Sequence, residues 1–155
     1  MRNHTSGVTG LSERRLNTLL GTRQTYWRST RAPNFIVLSF HMSRVALIVD
    51  DDPLVLQTIA DMLAALGCEV ITRQDATEAL ATFEQDQRIE ILLTDINMPG
   101  IAGHELAKRA KRLRPRVTPI LTSGREMDSH GFPFLRKPFM QDDLARLMKE
   151  TIGLC

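Results

Sequence analysis

From Ser43 onward the apolar positions fall into two alternating kinds of segment. Short apolar runs predict strands at Arg44 to Val49, Glu69 to Thr72, Glu90 to Thr94, Val117 to Thr122 and Phe132 to Arg136. Between them the apolar residues move to helical spacing. Val55, Leu56, Ile59, Met62, Leu63 and Leu66 form the buried stripe of a helix that Pro53 opens and Gly67 closes. Asp75-Ala76-Thr77-Glu78 has the form of a capping box ahead of a second stripe, Ala79, Leu80 and Phe83. Gly103 to Leu113 predicts a third helix with Leu106, Ala110 and Leu113 facing inward, and Gln141 to Ile152 a closing one through Leu144, Leu147 and Met148. Strands separated by helices imply right-handed crossovers and a doubly wound parallel α/β sheet of five strands, covered on both faces.

One interval breaks the rhythm. Ser123 and Lys137 are only 14 positions apart, and Gly124 to Gly131 leaves no room for a helix of about 11 residues. The helix between strands four and five is therefore expected to be reduced to a turn or missing.

Composition changes the picture mainly at the N-terminus. At 155 residues and 43% apolar content the chain can bury one core of ordinary size. The formal charge of +2 hides an asymmetry: residues 1–42 hold six arginines and one glutamate, while the remainder holds 14 basic and 17 acidic residues. Residues 1–42 thus read as a basic extension, disordered or not native, with the domain at 43–155. Such a composition also suits a transit peptide or a nucleic-acid-binding arm, and a natural start at Met42 is the third reading. No apolar run approaches a membrane span of about 20 residues, so no membrane is expected. Cys68 and Cys155 have no metal-like spacing and do not form a disulfide framework, which fits a reducing, cytoplasmic compartment.

Candidate chemistry follows from the strand ends. In a doubly wound sheet, ligands gather beyond the carboxyl ends of the strands. That rim holds Asp50 and Asp51 after strand one, Asp95 after strand three, Thr122 and Ser123 after strand four, and Lys137 after strand five. The run Ile91 to Gly100 delivers Asp95 and then breaks at Pro99-Gly100. Neighbouring carboxylates repel unless a cation sits among them, and an all-oxygen donor set suits Mg²⁺ and not zinc. A carboxylate beside such an ion, a lysine and a hydroxyl makes a phosphoryl acceptor, with Asp95 supplying the attacking oxygen.

The segments ALIVDDDP, LLTDINMPG, ILTSG and FLRKPF, in this order at strand ends, resemble the receiver domain of two-component response regulators over about residues 44–152. The resemblance implies a flavodoxin-like strand order 2-1-3-4-5. It implies that Asp95 is the phosphorylated aspartate, Asp51 the direct Mg²⁺ ligand, Asp50 a ligand through water, and Asn97 a donor of its backbone carbonyl. Lys137 would pair with the phosphoryl group and carry a cis bond to Pro138. Ser123 or Thr122 would be the signalling hydroxyl, Ser123 being preferred because only one of two successive strand residues can face the site. Phe134 would be the aromatic switch. The implied partners are a sensor histidine kinase or histidine phosphotransfer protein and an unknown downstream protein target. No DNA-binding module follows Lys137, so a single-domain regulator is expected, one that catalyses only its own phosphorylation and dephosphorylation.

Plainer readings stand beside these. Asp50-Asp51-Asp52-Pro53 could simply cap the first helix, Lys137 could be a solvated lysine, and Asn97 a turn residue. Phe139 reads as core, and His104 as a solvated helix residue. The basic run Lys108, Arg109, Lys111, Arg112, Arg114 and Arg116 reads first as a solvated face, and more sharply as a docking surface for an acidic partner or a weak nucleic-acid contact. The competing function is a receiver-like interaction module that is never phosphorylated.

Overall fold

A computed structural model describes residues 43–125 and 128–153. The reading of residues 1–42 as a basic extension lies outside these residues. The described chain runs β1 (Val45–Val49), α1 (Pro53–Ala65), β2 (Glu69–Arg73), α2 (Ala76–Gln85), β3 (Ile89–Asp95), α3 (Gly103–Leu113), β4 (Thr118–Ser123), β5 (Phe134–Arg136) and α4 (Gln141–Ile152). All strand pairs are parallel and the order is β2-β1-β3-β4-β5, as expected.

Alternation along the strands sorts the core into two layers. Val45, Leu47 and Val49 of β1 face Ala76, Ala79 and Phe83 of α2 and Leu106 and Ala110 of α3. Ala46 and Ile48 face Leu56, Ile59 and Leu63 of α1 and Leu144 and Met148 of α4. β3 needs a correction to fit both. The register shifts between Val45 and Ala46, so that Val45 pairs with Ile89 and Ala46 with Ile91. The bulge at Glu90 lets Ile89 join the α2–α3 layer while Ile91 joins the other. A strict period of two would have put both on one face, and for this reason the strand begins one residue earlier than its sequence pattern suggested.

The helix ends follow local chemistry. Asp52, and not Asp50 or Asp51, caps α1, accepting from the Leu54 and Val55 amides. Asp75 caps α2 by accepting from the Glu78 amide at 2.8 Å. At α4 the Asp143 carboxylate reaches back to the Met140 amide at 3.1 Å. Gly67 ends α1 at φ +88°. No described helix is long and apolar enough to cross a membrane. Two expectations fail. Leu113 is 56% exposed instead of inward, at the last residue of α3, where it lines an open cleft with Leu80 and Glu84 of α2. Cys68 is disulfide-bonded, which spacing alone did not suggest.

Among the described residues no helix lies between β4 and β5. The sheet there is covered differently: Ile96, Ala107 and Leu121 form a small buried group, and Phe132 and Phe134 pack over it.

Candidate functional site

β1 and β3 end side by side at the carboxyl edge, and each delivers a buried carboxylate. Asp50 is 2% exposed and Asp95 6%. Carboxylates this deep need compensation. Lys137, just past β5, supplies it: its Nζ donates to Asp50 Oδ2 at 2.5 Å and to Asp95 Oδ1 at 2.7 Å. Burial pulls the Lys137 amine down, but its hydrogen bonds and charge attraction to Asp50 and Asp95 outweigh burial and raise it above its ordinary 10.5.

The remaining carboxylate oxygens are held by backbone. Asp50 Oδ1 accepts from the Asp52 amide at 3.0 Å, and Asp95 Oδ2 from the Asn97 amide at 2.7 Å. The acidic run thus divides its tasks. Asp50 serves the site while Asp52 caps the helix, so the capping reading and the functional reading both hold, on different residues. Asp51, between them, is exposed.

Asn97 ties the rim together. Its side-chain Nδ2 donates to Ser123 Oγ at 2.9 Å while its backbone holds Asp95, and the Arg125 amide donates to the same Ser123 oxygen at 3.1 Å. Sequence reasoning assigned Asn97 only a carbonyl and missed this side-chain link. The two candidate hydroxyls have different fates. Ser123 is wired into the rim, whereas Thr122, level with Asp95 in register, is fully buried and its Oγ1 has no partner among the described residues. Phe134 sits half-buried over Ile96, Ala107 and Leu121, and Phe139 packs against the α1–α4 layer as core. The Lys137–Pro138 bond is cis. The amide of Lys137 donates to the Ser123 carbonyl at 2.8 Å, which fixes the end of β5 against β4.

One residue escaped the sequence reading entirely. A Cβ built on Gly103 would lie 1.9 Å from the Asp95 carbonyl oxygen, and the Gly103 amide donates to the Ile96 carbonyl at 3.1 Å. The first turn of α3 therefore presses on the backbone that carries Asp95, and only glycine fits. A glycine opening a helix has many explanations, so nothing in one sequence singled it out.

The donor set can be tested for a divalent ion. Asp50 and Asp95 converge on one ammonium, so two carboxylates share a single positive charge. The surplus negative charge and the all-oxygen chemistry fit a hard cation. Among the described residues no three His, Cys, Asp or Glu side chains form a cage by themselves.

Beside Lys137 lies an apolar groove formed by Leu54, Val55, Met62, Pro138 and Phe139, with Leu54 77% exposed at its mouth.

Known proteins share this fold. The family described as response regulator receiver domain matches residues 46–149. The sensor histidine kinase RcsC of Escherichia coli is 37% identical over 67 residues, which are 43% of this chain and 7% of that protein's length. Among solved structures, the receiver domain of the hybrid histidine kinase CckA is 34% identical, covering 68% of this chain and 96% of that one with a TM-score of 0.61. A CheY-like receiver domain protein from Methanospirillum hungatei JF-1 is 31% identical, covering 70% and 92% with a TM-score of 0.65.

Proposed function

The chain belongs to the response regulator receiver family, and we propose that it takes a phosphoryl group from a phosphohistidine protein onto Asp95. The observation that carries this reading is the Lys137 ammonium seated between the buried carboxylates of Asp50 and Asp95. In the step, an Asp95 carboxylate oxygen attacks phosphorus as the bond from phosphorus to the donor imidazole nitrogen breaks. The electron pair stays on that nitrogen, and the product on this chain is an acyl phosphate. Water later attacks the same phosphorus, releasing inorganic phosphate and restoring the carboxylate.

The residues of the chain divide the work. Asp95 Oδ2 is held by the Asn97 amide, so the carboxylate meets its donor in a fixed orientation. Lys137, already at Asp95 Oδ1, is placed to follow the charge onto the incoming phosphoryl oxygens. The Ser123 oxygen accepts from Asn97 and from the Arg125 amide, and its hydroxyl hydrogen can be donated to a phosphoryl oxygen; a movement of Ser123 toward that oxygen would stretch the bond from the Arg125 amide and loosen the connection that follows. Phe134, half-buried at the start of β5 where that connection ends, would respond as the switch. Asp50, Asp51, Asp95 and the Asn97 carbonyl are the groups that would hold Mg²⁺, which supplies neutralisation of charge on the transferring group. The domain is thus a signalling module, fed by a histidine kinase or phosphotransfer protein and biasing a protein target through a shift between two conformations.

Incubating the protein with phosphoramidate and Mg²⁺ and weighing it intact tests the reading. One added phosphoryl group that disappears in Lys137→Ala or on chelation supports it. No incorporation at any donor concentration would leave the interaction-module reading in its place.

A further inference from the structure

The basic run on α3 does not behave as one solvated face. Arg114 is built into the fold: its guanidinium donates to the carbonyls of Phe83 at 2.7 Å and of Asp86 and Ile89 at 3.0 Å, and it lies over the Phe83 ring. On the flank facing α2, a cleft lined by Glu84, Glu105, Arg109 and Arg112 carries its own counter-charges. Glu105 accepts from Arg109 at 2.9 Å and lies 3.6 Å from Arg112.

The opposite flank is different. There Lys108, Lys111 and Phe132, with Arg112 shared between the two clefts and 3.6 Å from Glu105, line a shallow cleft of about 460 Å³, and none of the described residues lining it is an acid. Lys111 donates to the uncharged Val117 carbonyl at 2.8 Å and forms no ion pair with an acid among the described residues. His104, Lys108 and Lys111 recur at helical spacing along this one face. The β4–β5 connection runs beside it, with the His104 and His130 rings 4.9 Å apart between centroids. Below lie Ile96, Ala107 and Leu121, covered only by the half-buried Phe132 and Phe134.

We propose that this flank docks an acidic segment of a partner protein, lying along α3 where a helix between β4 and β5 would otherwise pack. Its carboxylates meet Lys108, Lys111 and Arg112, and an apolar side chain rests on Phe132. Charge complementarity selects the partner's sign, and the openness of the cleft suits a protein segment better than an enclosed small molecule. Three cations beside a single ring make a small footprint for a nucleic acid. The surface exists without phosphorylation, so its test is independent of the chemistry at Asp95.

The probe is a fluorescent helical peptide with glutamates on one face and leucines on the other, titrated by anisotropy against the unphosphorylated full chain. A lysine-for-glutamate copy and a single-stranded oligonucleotide run beside it. The glutamate peptide should bind and its lysine copy should not. Lys108→Glu with Arg112→Glu, and separately Phe132→Leu, should weaken binding roughly tenfold, whereas Arg116→Glu changes it less than about twofold. Lys108→Arg should restore it. Equal loss from Arg116→Glu would mean diffuse charge attraction and overturn the proposal, as would absence of peptide binding or tighter binding of the oligonucleotide through the same residues.

Discussion

The carboxyl edge at β1 and β3 and the connection between β4 and β5 sit on the same sheet and are built in opposite ways. At the edge, every carboxylate oxygen of Asp50 and Asp95 has a donor, and the backbone beneath them is so tightly packed that Gly103 has no room for a methyl group. In the connection, Gly124 and Gly131 have nothing within contact distance of a built Cβ, and His130 and Gly131 both adopt positive φ. The edge is over-determined by contacts, while the connection is held by a few rings and hydrogen bonds. Chemistry that needs fixed atoms belongs at the first, and a surface that must change or be covered belongs at the second.

A pair of glycine substitutions separates the two most sharply. Gly103→Ala should cost about 3 kcal/mol or more, since its Cβ meets the Asp95 carbonyl. Gly131→Ala, at φ +81° in open space, should cost only about 1 kcal/mol of backbone strain. Chemical denaturation of both variants checks the contrast, and equal losses would break it.

Next in size is Lys137→Met. Loss of the ammonium should slow phosphorylation about 100-fold, measured with a small phosphodonor. The same variant gives a pH signature. Because the folded Lys137 amine sits above its ordinary 10.5, its contribution to stability is complete below that pH and is lost as pH rises through the higher folded value. Wild type should therefore lose more stability than Lys137→Met on alkaline titration above about pH 10, followed by thermal unfolding. Parallel curves would show that the amine is not held as described.

Arg114→Ala should destabilise by about 2 kcal/mol through its lost hydrogen bonds, against under about 0.5 kcal/mol for the exposed Arg116→Ala. A smaller effect than that of Arg114→Ala is expected for Asn97→Ala. Only the Ser123 link is removed, worth about 1 kcal/mol, because the Asp95 bond is made by backbone. Amide exchange should then quicken around Ser123 and Arg125 and leave β1 unchanged.

Much of this was legible because the rim residues carry position as well as identity. Asp50, Asp95 and Lys137 each end an apolar run, and a parallel sheet brings such ends together whatever their separation along the chain. The four helices were legible through caps and spacing, down to Gly67 and Asp75. What escaped depends on partners distant in sequence. The bulge at Glu90 is set by what β1 requires of β3, the role of Gly103 by the position of the Asp95 carbonyl, and that of Arg114 by the end of α2. Between β4 and β5, sequence length forecast that the described residues form no helix, but not that Phe132 and Phe134 would pack over Ile96, Ala107 and Leu121 or that His104 would meet His130.

The most direct test is to trap the phosphoryl group where it forms. Protein treated with phosphodonor and Mg²⁺ is reduced with borohydride, which converts an aspartyl phosphate to homoserine, and then mapped by peptide mass spectrometry. The account predicts homoserine at position 95 alone, none in untreated protein and none in Asp95→Asn. Homoserine at another aspartate, or phosphate on a histidine or serine with Asp95 untouched, would contradict it.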